Sequence, residues 1–282
     1  MGKLPPFELA AEGEGYFEDS SMIRVINSEL AVAFSGGRAL LLQAAHPVMF
    51  EGFYQDSDIE QDIHGRLART ARVMTIIYYG SKEEADRWTQ AVQQMHHKVK
   101  GTLKEDAGSF AAGTPYAADD PKYLLWTLAS LWDSASLFFE LYVRALTDKE
   151  QAALWQDYRL VGGLFGLLPD QMPADYLQAR QYMRQMIEGG ELLVTERAKQ
   201  AGREVVLKPP VPFWFAPLVA AVNFAVIGSL PQNVREGFGF HWPIGAELIR
   251  GVGAEATRRQ IKLLPDALTK SPVAGGKLMQ MD

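Results

Sequence analysis

Five histidines, at positions 46, 64, 96, 97 and 241, have the widest scope for chemistry in this 282-residue chain, which contains no cysteine. Without cysteine there can be no disulfide, thiolate zinc site, iron–sulfur cluster, cysteine nucleophile or thiolate-ligated haem. A helix capped at Ser81 would carry an apolar stripe of Trp88, Val92, Met95 and Val99, continuing to Leu103. His96 lies four residues after Val92 and three before Val99, so it falls on that stripe. His97 shares its face with Gln90, Gln93, Lys100 and Lys104 and should point to solvent. A buried imidazole needs partners for two ring nitrogens, and its own helix supplies none. His96 is therefore either bonded from a neighbouring helix or ligates a metal or haem iron.

Arg66 and Thr70 are four apart on one helical face, followed along it by Met74 and Ile77. Such a pair could aim a permanent positive charge and a hydroxyl into an apolar pocket. On residue types alone the favoured reading is that Arg66 bridges to a carboxylate such as Asp62 while Thr70 bonds back to its own helix. His46, in Gln43-Ala44-Ala45-His46-Pro47, closes a helix, where it is either a cation favoured by the helix dipole or a functional group. His64 and His241 lie in polar or turn-like surroundings and receive no role.

Other chemistries lack their residues. The acidic run from Asp56 to Asp62 has Gln61 and Leu67 where an EF-hand loop needs glycine and a carboxylate, so it reads as a solvated surface. The chain contains no Glu-x-x-His pair, no His-Glu-x-x-His, no phosphate-binding loop and no dinucleotide fingerprint. The transition-metal chemistry that keeps support is histidine-ligated iron.

The elements that must position these residues read as helices, because the 3.6-residue pattern recurs and strand signals are scarce. Expected helices cover Glu29–Ala45 capped by Ser28, Asp62–Tyr79, Ser81 to about Lys100, Lys122–Leu146 and Lys149–Leu160 capped by Asp148. Two more are expected at Ala174–Lys199 and Ile244–Leu264. The Gly36–Gly37 pair should either weaken the first helix or admit a close neighbour. Residues 107–121 read as a loop, and those beyond Pro265 as a loose tail. From Pro209 to Val234 no residue is charged, but prolines at 209, 210, 212 and 217 leave only Leu218–Leu230 for a helix. That is too short to span a bilayer, so a core helix is expected, with peripheral membrane contact as the other reading.

Hydrophobic residues make up 48% and charged residues 22%, the balance of a folded globular protein, and no linker divides the chain. A net charge of −6 without a basic stripe argues against nucleic-acid partners. The acidic, proline-bearing N-terminus lacks the basic start and apolar run of a secretory signal, which leads to an expected cytoplasmic location.

Taken together, Gly37-Arg38-Ala39-Leu40-Leu41-Leu42-Gln43-Ala44-Ala45-His46-Pro47, Gly65-Arg66-Leu67-Ala68-Arg69-Thr70 and Met95-His96-His97-Lys98-Val99-Lys100-Gly101 resemble motifs of the MpaB-like and rubber oxygenase family, which includes the latex-clearing proteins. Agreement continues through Asp120-Pro121 to Trp126, Leu131-Trp132-Asp133-Ser134, and Leu230-Pro231 with Arg235 and Gly239, covering roughly residues 25 to 270. The resemblance implies an all-α single domain at 25–270, between an N-terminal extension (1–24) and a C-terminal tail (271–282), with a globin-like core holding one haem b. His96 matches the proximal iron ligand, Arg66 and Thr70 match the distal pair, and His46 is counted among the residues around the cofactor. Arg69 stands where a lysine can reach the iron; a guanidinium stays protonated and ligates poorly, so no lysine-capped resting state is expected. Leu128 stands where the family often has histidine.

The activity implied is that of an oxygenase using dioxygen on an apolar unsaturated molecule, a lipid or terpenoid, with the electron donor left open. A non-catalytic haem-binding sensor or carrier, or a metal-free lipid-binding protein, would use the same residue types differently.

Overall fold

In a computed structural model describing residues 8–55 and 59–271, the chain forms α1 (Met22–Asn27), α2 (Leu30–Ala33), α3 (Ser35–Ala44), α4 (Pro47–Gln55), α5 (Ile59–Tyr79) and α6 (Lys82–Lys98). Two short strands follow, β1 (Lys100–Thr102) and β2 (Pro115–Ala117), and then α7 (Pro121–Tyr142), α8 (Asp148–Leu164), α9 (Tyr176–Glu188) and α10 (Glu196–Leu207). The remainder is α11 (Ala216–Ser229), α12 (Gln232–Gly237), α13 (Ala246–Ile261) and α14 (Asp266–Thr269). The expected all-α class holds.

Helix α7 is the axis of the packing, in contact with α1, α2, α3, α8, α9 and α13. Asp120 starts it by accepting the backbone N–H of Lys122 at 2.9 Å, Pro121 occupies its first turn, and no glycine interrupts it. Trp126, Trp132, Phe138 and Phe139 from this helix are fully buried in a cluster that runs from Phe17 to Phe238, the larger of two core clusters among the described residues. A smaller cluster of Val48, Val99, Leu103, Ala107, Tyr116 and Tyr123 lies beneath the β1–β2 hairpin.

Polar contacts fix how α3 sits on α7. Arg38 is buried and donates to Ser134 Oγ at 2.8 Å and to the Ser229 carbonyl at 3.0 Å, with Asp133 Oδ2 2.7 Å away. Gln43 donates to the buried Ser130 hydroxyl at 2.9 Å. A buried guanidinium is tolerated only when its charge and donors are met, and here both are.

Several element boundaries differ from expectation. Ser28 closes α1, and the helix expected over Glu29–Ala45 breaks at Phe34. The close neighbour foreseen for the glycine pair exists: a Cβ on Gly37 would lie 3.0 Å from Val206 and 3.4 Å from Val226. Thr147 rather than Asp148 caps α8, in a reciprocal box with Glu150. Ala174–Lys199 is not one helix, because Gly190 adopts φ +82° and separates α9 from α10. Part of the expected loop pairs as β2 with β1, Gly101 opposite Tyr116. The start of the expected tail folds as α14 and is tied back, Ser271 N–H donating to the Ser28 carbonyl at 2.7 Å. Only the second half of α11 is buried, at Val226 and Gly228, while Leu218 in its first half is exposed.

Candidate functional site

Helices α5 and α6 pack together and are joined by Gly80 and Ser81 alone, so they form an antiparallel hairpin. Ser81 starts α6 by accepting the Glu84 N–H at 3.2 Å. Counting outward from this turn brings Arg66 on α5 level with His96 on α6, about 22 Å along each helix at roughly 1.5 Å per residue, with Thr70 one turn nearer the bend. Thr70 is exposed. The side chains of Arg66 and His64, and those of the acidic run, lie outside the described residues.

His96 is half-buried near the end of α6 and lines a cleft of about 580 Å³ together with Gln93, Lys98, Asp119, Leu124, Phe165 and Gly166. His97 lines it from the rim: it is exposed, and its Nδ1 lies 2.8 Å from Asp119 Oδ2. That hydrogen bond is the main cause of the lowered Asp119 pKa. The stripe that selected His96 needs one correction. Met95 is 47% exposed, and the buried side of α6 runs through Ala85, Thr89 and Val99, with Trp88 and Val92 partly covered. His96, four residues after Val92, lies nearer that side than Met95 does.

His46 is wholly buried at the junction of α3 and α4. Its carbonyl accepts the Phe50 N–H at 2.9 Å and its Nδ1 accepts the Met49 N–H at 3.4 Å, which leaves the ring proton on Nε2. Nε2 has no hydrogen-bond partner; Glu191 Oε2 is 3.6 Å away and itself lies 2.8 Å from Lys122 Nζ. Phe110 and Tyr123 flank the imidazole with ring centroids at 5.3 Å. Burial, seconded by the Lys122 charge, pushes the His46 pKa down to about 4. The reading of His46 as a cation at a helix end is thereby corrected: it is neutral near pH 7. Tyr123 and Leu124 are consecutive in α7, so the His46 surroundings and the His96 cleft share the first turn of that helix.

The sequence matches the family described as ER-bound oxygenase mpaB/B'/Rubber oxygenase, catalytic domain, over residues 23–262. The chain belongs to this family. Comparison with curated proteins and with solved structures found no match. Membership makes the chain an oxygenase-family catalytic domain, and the α5–α6 hairpin, the α3–α4 junction and α7 all fall inside the matched residues.

Among the described residues no group of three or more His, Asp or Glu could hold a bare metal ion. A porphyrin iron makes a smaller demand, since the macrocycle supplies four nitrogens and the protein one axial ligand. The His96 cleft offers that one histidine, with Leu124 and Phe165 as its apolar walls and Gln93, Gln94, His97, Lys98 and Asp119 as its polar ones. Leu128 is buried in the core cluster. Glu191, Lys122 and Asp119 received no role from the sequence, nor did Glu51, a buried carboxylate on α4 that lies 3.3 Å from Arg197. Their only signal was charge, which in sequence does not distinguish a buried partner from a solvated one.

Proposed function

We propose that the chain is a haem b-dependent oxygenase, built on a globin-like haem core, that uses dioxygen on a carbon–carbon double bond of an apolar lipid or terpenoid. The observation that carries this reading is His96 on a cleft of about 580 Å³ in a chain of an oxygenase family. His96 would hold the haem iron, with Leu124 and Phe165 as apolar walls and His46 in the surrounding shell. When bound, haem b supplies the iron at which dioxygen is activated. The Arg66 guanidinium, protonated at any working pH, would donate to negative charge that grows on oxygen. Thr70 Oγ1 would hold a proton or a water beside it.

An alkene offers no charge to grip, so substrate affinity must come from buried apolar area at roughly 25 cal/mol per Å², which favours long acyl or isoprenoid chains. Such substrates reside in membranes, and the reading includes a cytoplasmic protein in peripheral contact with one.

A pyridine-haem assay on purified variants tests the site. His96→Ala should lose stoichiometric haem, whereas His97→Ala, whose ring already engages Asp119, should keep it. Arg66→Ala should keep haem and lose turnover by about 10²–10³. With labelled dioxygen and a panel of unsaturated lipids, label should enter the product, increasingly with chain length. Haem retained with an unchanged spectrum in His96→Ala would overturn the site. Loaded haem without label in any alkene would favour a sensor or carrier.

A further inference from the structure

The stretch Leu131-Trp132-Asp133-Ser134 in the middle of α7 has no part in the proposed chemistry. It borders a second cleft, of about 360 Å³, between α7, α8 and α9, which shares no residue with the His96 cleft. Three side chains that line it each bury a polar atom without a hydrogen-bond partner among the described residues: the Trp132 indole N–H, the Ser136 hydroxyl and the Gln151 carbonyl oxygen. These residues are only 1%, 6% and 2% exposed. Groups of the same kind beside them are satisfied. The Trp155 indole, whose ring meets Trp132 edge-on at 5.1 Å, donates to the Pro173 carbonyl at 2.9 Å. The Gln151 amide N–H donates to Glu140 at 3.2 Å, which leaves the Gln151 oxygen as the open acceptor. Folds leave few buried polar atoms unpaired, because each is costly. Three around one cleft call for an occupant.

The open atoms specify what that occupant offers. An indole N–H can only donate and an amide oxygen can only accept, whereas a hydroxyl does either. The head group that completes them must therefore both accept and donate, as an alcohol or a primary amide does. Charge argues against an ion. Asp133 is met by Arg38 at 2.7 Å, and Arg180 and Arg184 on the cleft are matched in number by Glu140 and Glu188. Arg258, which donates to the Glu140 carbonyl from outside, is itself met by Glu255. Leu137, Met183 and Ile187 supply an apolar wall.

We propose that this cleft binds an uncharged amphipathic small molecule, its hydroxyl or amide head bonded to Trp132, Ser136 and Gln151 and its apolar body laid on Leu137, Met183 and Ile187. The three polar atoms are shielded from bulk water, so the Ser136 and Gln151 side chains turn to meet the head group as it enters. Binding needs neither haem nor dioxygen, and its failure leaves the oxygenase reading untouched.

The test is titration of the full, nitrogen-15-labelled chain with octan-1-ol, octanamide, octanoate and octylammonium, followed through the Trp132 indole N–H resonance, which Trp132→Phe identifies by its loss. The alcohol and the amide should shift that resonance saturably, and the two ions should bind at least about tenfold more weakly, because a charge is costlier to take out of water. Ser136→Ala should weaken octanol binding by about tenfold. The same substitution should raise the urea midpoint of the ligand-free protein, since it removes an unpaired buried hydroxyl and gains helix propensity. Four results would overturn the proposal: no saturable shift with either neutral probe, ions that bind as tightly, octanol binding indifferent to Ser136→Ala, or a lowered urea midpoint in that variant, the sign of an internal water that already completes the hydroxyl.

Discussion

A neutral imidazole sealed between two aromatic rings and an ion pair makes His46 sensitive to acid. Its unfolded pKa is near 6.5 and its folded pKa is about 4, so the folded state resists taking up a proton that the unfolded chain accepts readily. The native advantage is therefore complete above about pH 6.5 and is lost as pH falls toward 4. A gap of that size corresponds to about 3 kcal/mol across the window. Glu191 and Lys122 face the ring as a pair, and as long as they stay paired neither offers the imidazolium a free counter-charge. Urea unfolding at successive pH values should show wild-type stability falling through this window, and His46→Gln falling less steeply by up to one bound proton. Equal slopes would mean that the ring is protonated in the fold or already open to solvent. None of this could be read from Gln-Ala-Ala-His-Pro, because the residues that set the environment, Phe110, Lys122 and Glu191, lie far along the chain. His96 was more legible: helical periodicity brought it to the cleft side of α6, although the same periodicity placed Met95 on the stripe beside it.

Among the elements, α10 docks on α3 through a missing side chain. A Cβ on Gly202 would stand 2.7 Å from Phe238 Cε1 and 2.9 Å from Leu41 Cδ2, and Phe238 is fully buried. Alanine at this position gains up to about 1 kcal/mol of helix propensity. Forcing a rigid ring and a packed leucine aside costs about 1–3 kcal/mol. The ring cannot turn away, so the cost should win: Gly202→Ala should lower unfolding free energy by roughly 1–2 kcal/mol. A stabilised variant would show that α10 is loosely seated. The cap at Ser81 was readable because a cap is a local chemical event, but the same signal misled at Ser28, which closes α1, and at Asp148, where Thr147 caps α8 instead. The break at Gly190 was not, since glycine tolerates a helix at modest cost and only its positive φ decides. Strands β1 and β2 are three residues each, too short for alternation to register.

At the scale of the whole molecule, the last described residues are fastened back to the junction of α1 and α2. Lys270 Nζ lies 2.5 Å from Glu29 Oε1, and Glu29 at the start of α2 is buried, as is Thr269. An isolated bridge of this kind on an open surface would contribute little. Glu29 differs because its carboxylate is withdrawn from water, so losing the cation leaves a desolvated charge without its nearest partner. The ammonium is partly exposed, which keeps the expected cost below that of a fully buried pair. Lys270→Met should therefore destabilise the protein by about 1–2 kcal/mol. Glu29→Gln with Lys270→Met should restore part of that loss, because it removes the stranded charge along with its partner. Chemical denaturation of the two single variants and the double variant gives the coupling directly. A double variant as unstable as the sum of the singles would mean that Lys270 acts only by packing and that the closure rests on the Ser271–Ser28 backbone bond.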